Sequence, residues 1–178
     1  MKRAIITPAS LAPEALAELK QWLAISVTRD DAALTALLHA GLELCEDFTG
    51  TMPLEATCEE LVSAGAGWQV LATRPIQAVT GVDAMAIDGT RTALPAEAWQ
   101  VELDADGGAR VRVAGARRAA VRFVAGLAAD WAGLPEALRH GVIRYAAYQY
   151  RSRETEGRDA LPSAIAALWR PWRRLRLG

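Results

Sequence analysis

Apolar residues change their spacing twice along this chain, and that limits what it can fold into. Between Pro13 and Gly50 they recur at helical intervals, as in Leu16, Leu19 and Leu23. Between Thr51 and Ala125 they alternate with polar residues, as in Trp99, Val101 and Leu103, or Val121 and Phe123 around Arg122. Beyond Pro135 the helical spacing returns with Leu138, Val142 and Tyr145. A repeat near 3.6 keeps one face of a helix apolar, and a repeat of two does so for a strand. Strands with one wet face are antiparallel. The expectation is an α+β chain: a small helical bundle, built from residues 13–50 and 134–170, interrupted by a β-rich antiparallel insertion over 51–126. A basic tail, 171–178, follows. At 178 residues the whole suits a single domain with its own core.

Local signals refine the boundaries. Residues 1–12 read as a loose arm. Pro13 suits the first turn of a helix, where its missing N–H is not needed. Thr28 with Asp31 three positions on reads as a capping box for a second helix, which Gly50 stops. Asp88-Gly89 reads as a two-residue type I′ hairpin turn between strands near 79–87 and 90–95. A long helix opens near Pro135 and runs to about Glu154. Pro162 opens another, which Pro171 ends near Arg170.

The search for chemistry is negative. His39 and His140 have no second ligand at metal-box spacing, and His39 with Glu43 reads as a surface pair. No Gly-rich phosphate loop, GxGxxG fingerprint or GxSxG elbow is present. Glu59 and Glu60 are neighbours in a strand and point to opposite faces, which is poor geometry for a carboxylate dyad. Cys45 and Cys58 are too few for a disulfide framework. The expectation is no enzyme, no cofactor and no metal. No run of residues is long and apolar enough for a membrane span, so no membrane partner is expected. A net charge of −1 gives no global attraction for nucleic acid.

Two clusters stand out. Trp169, Arg170, Trp172, Arg173, Arg174 and Arg176 crowd the C-terminal end. They read as a solvated basic tail, a nucleic-acid contact in which Arg and rings interleave, or a docking segment for a partner protein. The second cluster is on the long helix. Gly141 would allow close approach, and with Tyr145 and Tyr148 it forms a candidate face for a neighbouring subunit.

Several stretches resemble the head-tail connector family of siphophages, prophages and gene transfer agents. Leu19 to Ile25, then Asp30-Asp31 and a Leu-rich helix closing in Glu46-Asp47-Phe48-Thr49-Gly50, are similar to its opening. Arg74-Pro75-Ile76 to Val82, Val121 to Gly126, Leu134-Pro135-Glu136-Ala137-Leu138 and Trp169-Arg170-Pro171-Trp172-Arg173 resemble its later motifs in order. Residues 54–67 match no pattern of the family, and Trp172-Arg173 stands where it more often has Tyr-Arg. The resemblance implies a structural subunit at the head-tail junction of a virion or virion-like particle, assembled in a bacterial cytoplasm. Copies would form a ring, usually a dodecamer, beneath the portal protein. The ring would offer a surface to a head-closure (stopper) or tail protein. DNA would pass its channel without specific binding, and the C-terminal cluster would reach the portal. The rival reading is a nucleic-acid-associated protein that binds through its Arg/Trp-rich C-terminus.

Overall fold

The computed structural model describes residues 3–65, 67–152 and 161–174. The fold is α+β, and the chain divides into two compact units. One comprises Met1–Ala9 with Leu54–Leu127; the other comprises Ser10–Pro53 with Ala128–Gly178.

The first unit is built of antiparallel strands: β1 (Arg3–Thr7), β2 (Ala56–Ser63), β3 (Gln69–Val70), β4 (Ile76–Met85), β5 (Arg91–Ala93), β6 (Trp99–Leu103), β7 (Ala109–Val113) and β8 (Arg118–Ala125). Five form a sheet in the order β1-β2-β8-β4-β5, and three form a second in the order β3-β7-β6. In β7 the alternation is complete: Ala109, Val111 and Val113 are buried while Arg110 and Arg112 are exposed. The central strand β8 contributes Val121 and Phe123 to the core, and β2 and β4 contribute Val62 and Val82.

Two expectations about this unit are corrected. The N-terminal residues are no loose arm, because Arg3–Thr7 pairs with β2, Arg3 opposite Glu60 and Ile5 opposite Cys58. Residues 54–67, which match no pattern of the family, include β2, an interior strand of the larger sheet, in keeping with Glu59 and Glu60 as strand neighbours. Its two carboxylates are each matched from elsewhere. Glu60 accepts hydrogen bonds from the Ala72 and Thr73 amides (2.9 and 2.8 Å) and from the Thr73 hydroxyl (2.5 Å). Glu59 pairs with Arg91 at 2.8 Å. Buried carboxylates are tolerated only with partners of this kind. The β4–β5 turn is also not type I′. Asp88 has no positive φ; only Gly89 is left-handed, at 87°. The Ala86 amide donates to Thr90 O and the Gly89 amide to Ala86 O, which closes a three-residue loop. The Asp88 carboxylate accepts from the Thr90 amide (2.9 Å), so it is engaged in holding this wider turn.

The second unit holds α1 (Pro13–Leu23), α2 (Asp31–Thr49), α3 (Glu136–Ser152) and α4 (Ser163–Trp169). Pro13 opens α1, Gly50 ends α2 in the left-handed region, and Pro162 precedes α4, as their residue types direct. The expected stretch of α3 beyond Ser152, to Glu154, lies outside the described residues. Thr28 does not cap α2 with its side chain. Its carbonyl accepts the Asp31 amide, and the cap position is Asp30, with no side-chain cap bond. Tertiary partners have taken the carboxylates instead: Asp30 accepts from the Tyr150 hydroxyl (2.6 Å) and Asp31 pairs with Lys20 (2.7 Å). Leu19, Leu34, Leu38, Cys45, Leu138, Val142 and Trp169 form the core of this unit. Burial pushes the Cys45 thiol up to about 12, with the Glu46 charge adding to the effect, so it stays protonated and unreactive.

One backbone position in this unit is strained. Ala24 ends α1 at φ 58°, while its amide donates to Gln21 O and that of Ile25 to Lys20 O, the Schellman pattern. A Cβ is disfavoured there by about 1–2 kcal/mol. Ala24→Gly is therefore expected to raise stability by about 1 kcal/mol once the greater freedom of glycine in the unfolded chain is subtracted. Urea titration of the two proteins measures this, and an unchanged or lower midpoint would count against the strain.

Candidate interaction surfaces

The residues expected to dock partners separate into inward and outward sets. Trp169 is fully buried. Its indole N–H donates to the Leu138 carbonyl at 3.3 Å, and its ring is 6.1 Å from that of Phe48. It fills the space that Gly141 leaves open: a Cβ on Gly141 would sit 2.7 Å from Trp169 Cε2. This corrects two readings. Trp169 is a core residue with no exposed surface for a partner. The small side of Gly141 receives a helix of its own chain, so it too is unavailable to a neighbour. Exposed arginines around Trp169 in sequence had made it look like part of a surface cluster.

Tyr145 also turns inward. Its ring lies against Gly41, with Cδ1 3.5 Å from where a Cβ would stand, and its hydroxyl accepts from Gln149 Nε2. Tyr148 borders open space. It lines a shallow hollow of about 220 Å³ with Trp22, Arg144, Arg151, Pro162 and Ile165. Trp22 is 45% exposed and meets the His140 ring edge-on at 5.1 Å.

The rest of the C-terminal cluster stays outside the core. Arg170–Trp172 forms a 3₁₀ turn after α4, and the chain then straps across the end of α2. The Arg173 guanidinium stands 5.6 Å over the Phe48 ring, and the Arg174 amide donates to Thr49 O at 2.9 Å. The last turn of α2 carries no basic residue of its own. Arg173 and Arg174 bring positive charge to the negative end of that helix. Arg170, Arg173 and Arg174 are exposed and Trp172 is half-buried. Arg176 lies outside the described residues.

The sheet unit carries features that sequence reading missed. Ile87, at the tip of the β4–β5 hairpin, is 97% exposed. A β-branched apolar residue inside a turn was the available signal. At the mouth of the smaller sheet a hollow of about 490 Å³ is lined mainly by Ala98, Trp99, Ala114, Gly65 and Gly115, with Glu97 and Arg112 at its sides. Among the described residues no group of three or more His, Cys, Asp or Glu is placed to hold a metal ion, and no helix is long and apolar enough to cross a membrane.

No protein-family model and no curated protein matches this chain. Solved structures do. The chain superposes over its whole length, and over 98% of the other chain, on a component of the neck of an empty GTA particle, with a TM-score of 0.80 and 25% identity. It matches a chain of the virion of a native gene transfer agent particle with a TM-score of 0.79 and 26% identity, again over 100% and 98% of the two chains. A third match, at 0.76 and 27% identity with the same coverage, is in the neck of a native GTA particle with C12 symmetry.

Proposed function

We propose that this chain is a structural head-tail connector subunit, located at the neck of a tailed-phage or gene-transfer-agent particle. The single observation that carries the proposal is its end-to-end likeness, at a TM-score of 0.80, to a chain from such a neck. A likeness that runs over 100% of this chain and 98% of the other favours the same kind of role. In this reading the copies form a ring, a dodecamer, in keeping with the C12 symmetry of one of the matched necks. The ring lies beneath the portal and gives a head-closure or tail protein its seat. DNA passes through the channel without specific contacts, which suits a chain of net charge −1. The work is done by surfaces meeting other surfaces, without catalysis.

The portal-facing surface is assigned to Arg170, Trp172, Arg173 and Arg174, with Arg176 beyond them. Arg and Trp are the residue types that dominate interface energetics, and these are held on a helix end instead of trailing free. The nucleic-acid reading loses support here, because one of the two indoles available for base stacking is enclosed in the core.

Deleting the gene in a producing strain tests the reading. Full-length protein supplied in trans should restore tails to particles that otherwise accumulate as DNA-filled, tailless heads. Normally tailed particles in the deletion strain would sink it.

A further inference from the structure

The geometry points to a self-contact between neighbouring copies: the Ile87–Asp88 hairpin tip of one chain seated in the hollow lined by Ala98, Trp99 and Ala114 of the next. This rests on the ring assembly proposed above and names the surfaces that close it. A ring needs two different patches on each copy, one the complement of the other.

The tip supplies one. Among the described residues Ile87 is by a wide margin the most exposed of the large hydrophobic residues, at 97%. It is presented on a closed turn that three hydrogen bonds define, so little order is lost when it is covered. Asp88 beside it is fully exposed, and its hydrogen bonds from Thr90 hold its carboxyl below the usual range, so it is an anion at neutral pH.

The hollow supplies the other. Its volume of about 490 Å³ is ample for an isoleucine side chain, and its floor is small and apolar. Arg112 at its side donates to Gln100 Oε1 and lies over the Trp68 ring, which holds its positive charge in place to face Asp88; Glu97 also borders the hollow and requires the carboxylate to settle on the Arg112 side. The Trp99 indole nitrogen, shut off from solvent, has no acceptor among the described residues. An unmatched buried donor is costly, so an incoming turn that brings a carbonyl to this wall gains a hydrogen bond there.

Position agrees with the pairing. Arg118 of β8 lies opposite both Ser63 of β2 and Met85 of β4. Gly65, Gly115 and the tip therefore all lie past the same end of the larger sheet. The tip and the rim of the hollow thus stand at one end of the same sheet unit, where a neighbouring copy can reach both.

Two variants of the full-length protein test this in assembled particles. Ile87→Asp should fold with an unchanged Tm, since the residue touches almost nothing in its own chain. It should lower the yield of rings and of tailed particles at least about tenfold, in the range of a lost interface anchor, with Ile87→Leu restoring them. An Ile87→Cys/Ala98→Cys double variant should give an oxidised ladder of cross-linked copies in purified necks that neither single variant gives. Tailed particles at normal yield with Ile87→Asp, or no ladder from the double variant, overturns the contact. Rings that form normally with Ile87→Asp but attach no tail would assign the tip to a different protein and likewise overturn it. If gene deletion removes the tails while Ile87→Asp keeps them, the connector role stands and only this contact fails. If deletion leaves tails in place, the role itself fails.

Discussion

Gly126→Ala is expected to cost about 4 kcal/mol or more, the range of the severest single substitutions. Two independent effects meet at this residue. Its φ is 152°, a conformation that residues with a Cβ rarely adopt and one that costs about 1–3 kcal/mol when forced. A Cβ there would also collide with backbone, 2.5 Å from the Leu54 carbonyl carbon and nearer still to Glu55 N and Cα. Backbone cannot rotate aside as a side chain can. The Gly126 amide donates to Pro75 O, and its carbonyl accepts from Gln77 Nε2, so the segment is also held from the β4 side. Chemical denaturation monitored by circular dichroism measures the loss, and a shift under about 1 kcal/mol would show that the Leu54–Glu55 segment moves freely, against the fixed approach described above.

The second large effect belongs to Trp169 and Gly141, and its signature is non-additivity. Trp169→Ala removes a fully buried indole and is expected to cost about 3–5 kcal/mol. Gly141→Ala should cost a comparable amount, because the new methyl group occupies the place of Trp169 Nε1 and Cε2 and displaces the ring. Once the indole is gone the conflict disappears. In the Trp169→Ala background, Gly141→Ala should be neutral or stabilising by up to about 1 kcal/mol, the helix preference of alanine over glycine. The coupling expected from the cycle is therefore above about 2 kcal/mol. Additive effects would mean that the two residues do not share one space.

Much of this fold could be read from sequence, and the misses have a common cause. Pro13, Gly50 and Pro162 act within a turn of their own position, so the helix boundaries they set were legible. The alternation in β6, β7 and β8 was legible for the same reason. Arg3–Thr7 was not. Its partner strand lies more than fifty residues on, and as an edge strand with mostly exposed side chains it shows no burial pattern. Glu59 and Glu60 were legible as strand neighbours, but the burial of both was not, because their partners Arg91 and Thr73 come from later elements. Asp31 reads in sequence as the second half of a capping box with Thr28, but in the fold its carboxylate pairs with Lys20. The same limit applies to the interaction surfaces. Composition picked out the C-terminal arginines, but only packing reveals that Trp169 faces inward and that Ile87 faces outward.

Neither unit is made from one continuous stretch: each draws on both halves of the chain. A nascent polypeptide that has emerged only to residue 110 has β1 and β2 but lacks β8, which joins β2 to β4. It likewise has α1 and α2 without the α3 and α4 that cover them. The sheet unit cannot set until β8 has emerged, and the helical unit waits for α3 and α4 beyond it. Products that terminate before β8 thus complete neither unit. In an assembly that needs many identical copies, this keeps damaged chains from being incorporated and blocking the rest.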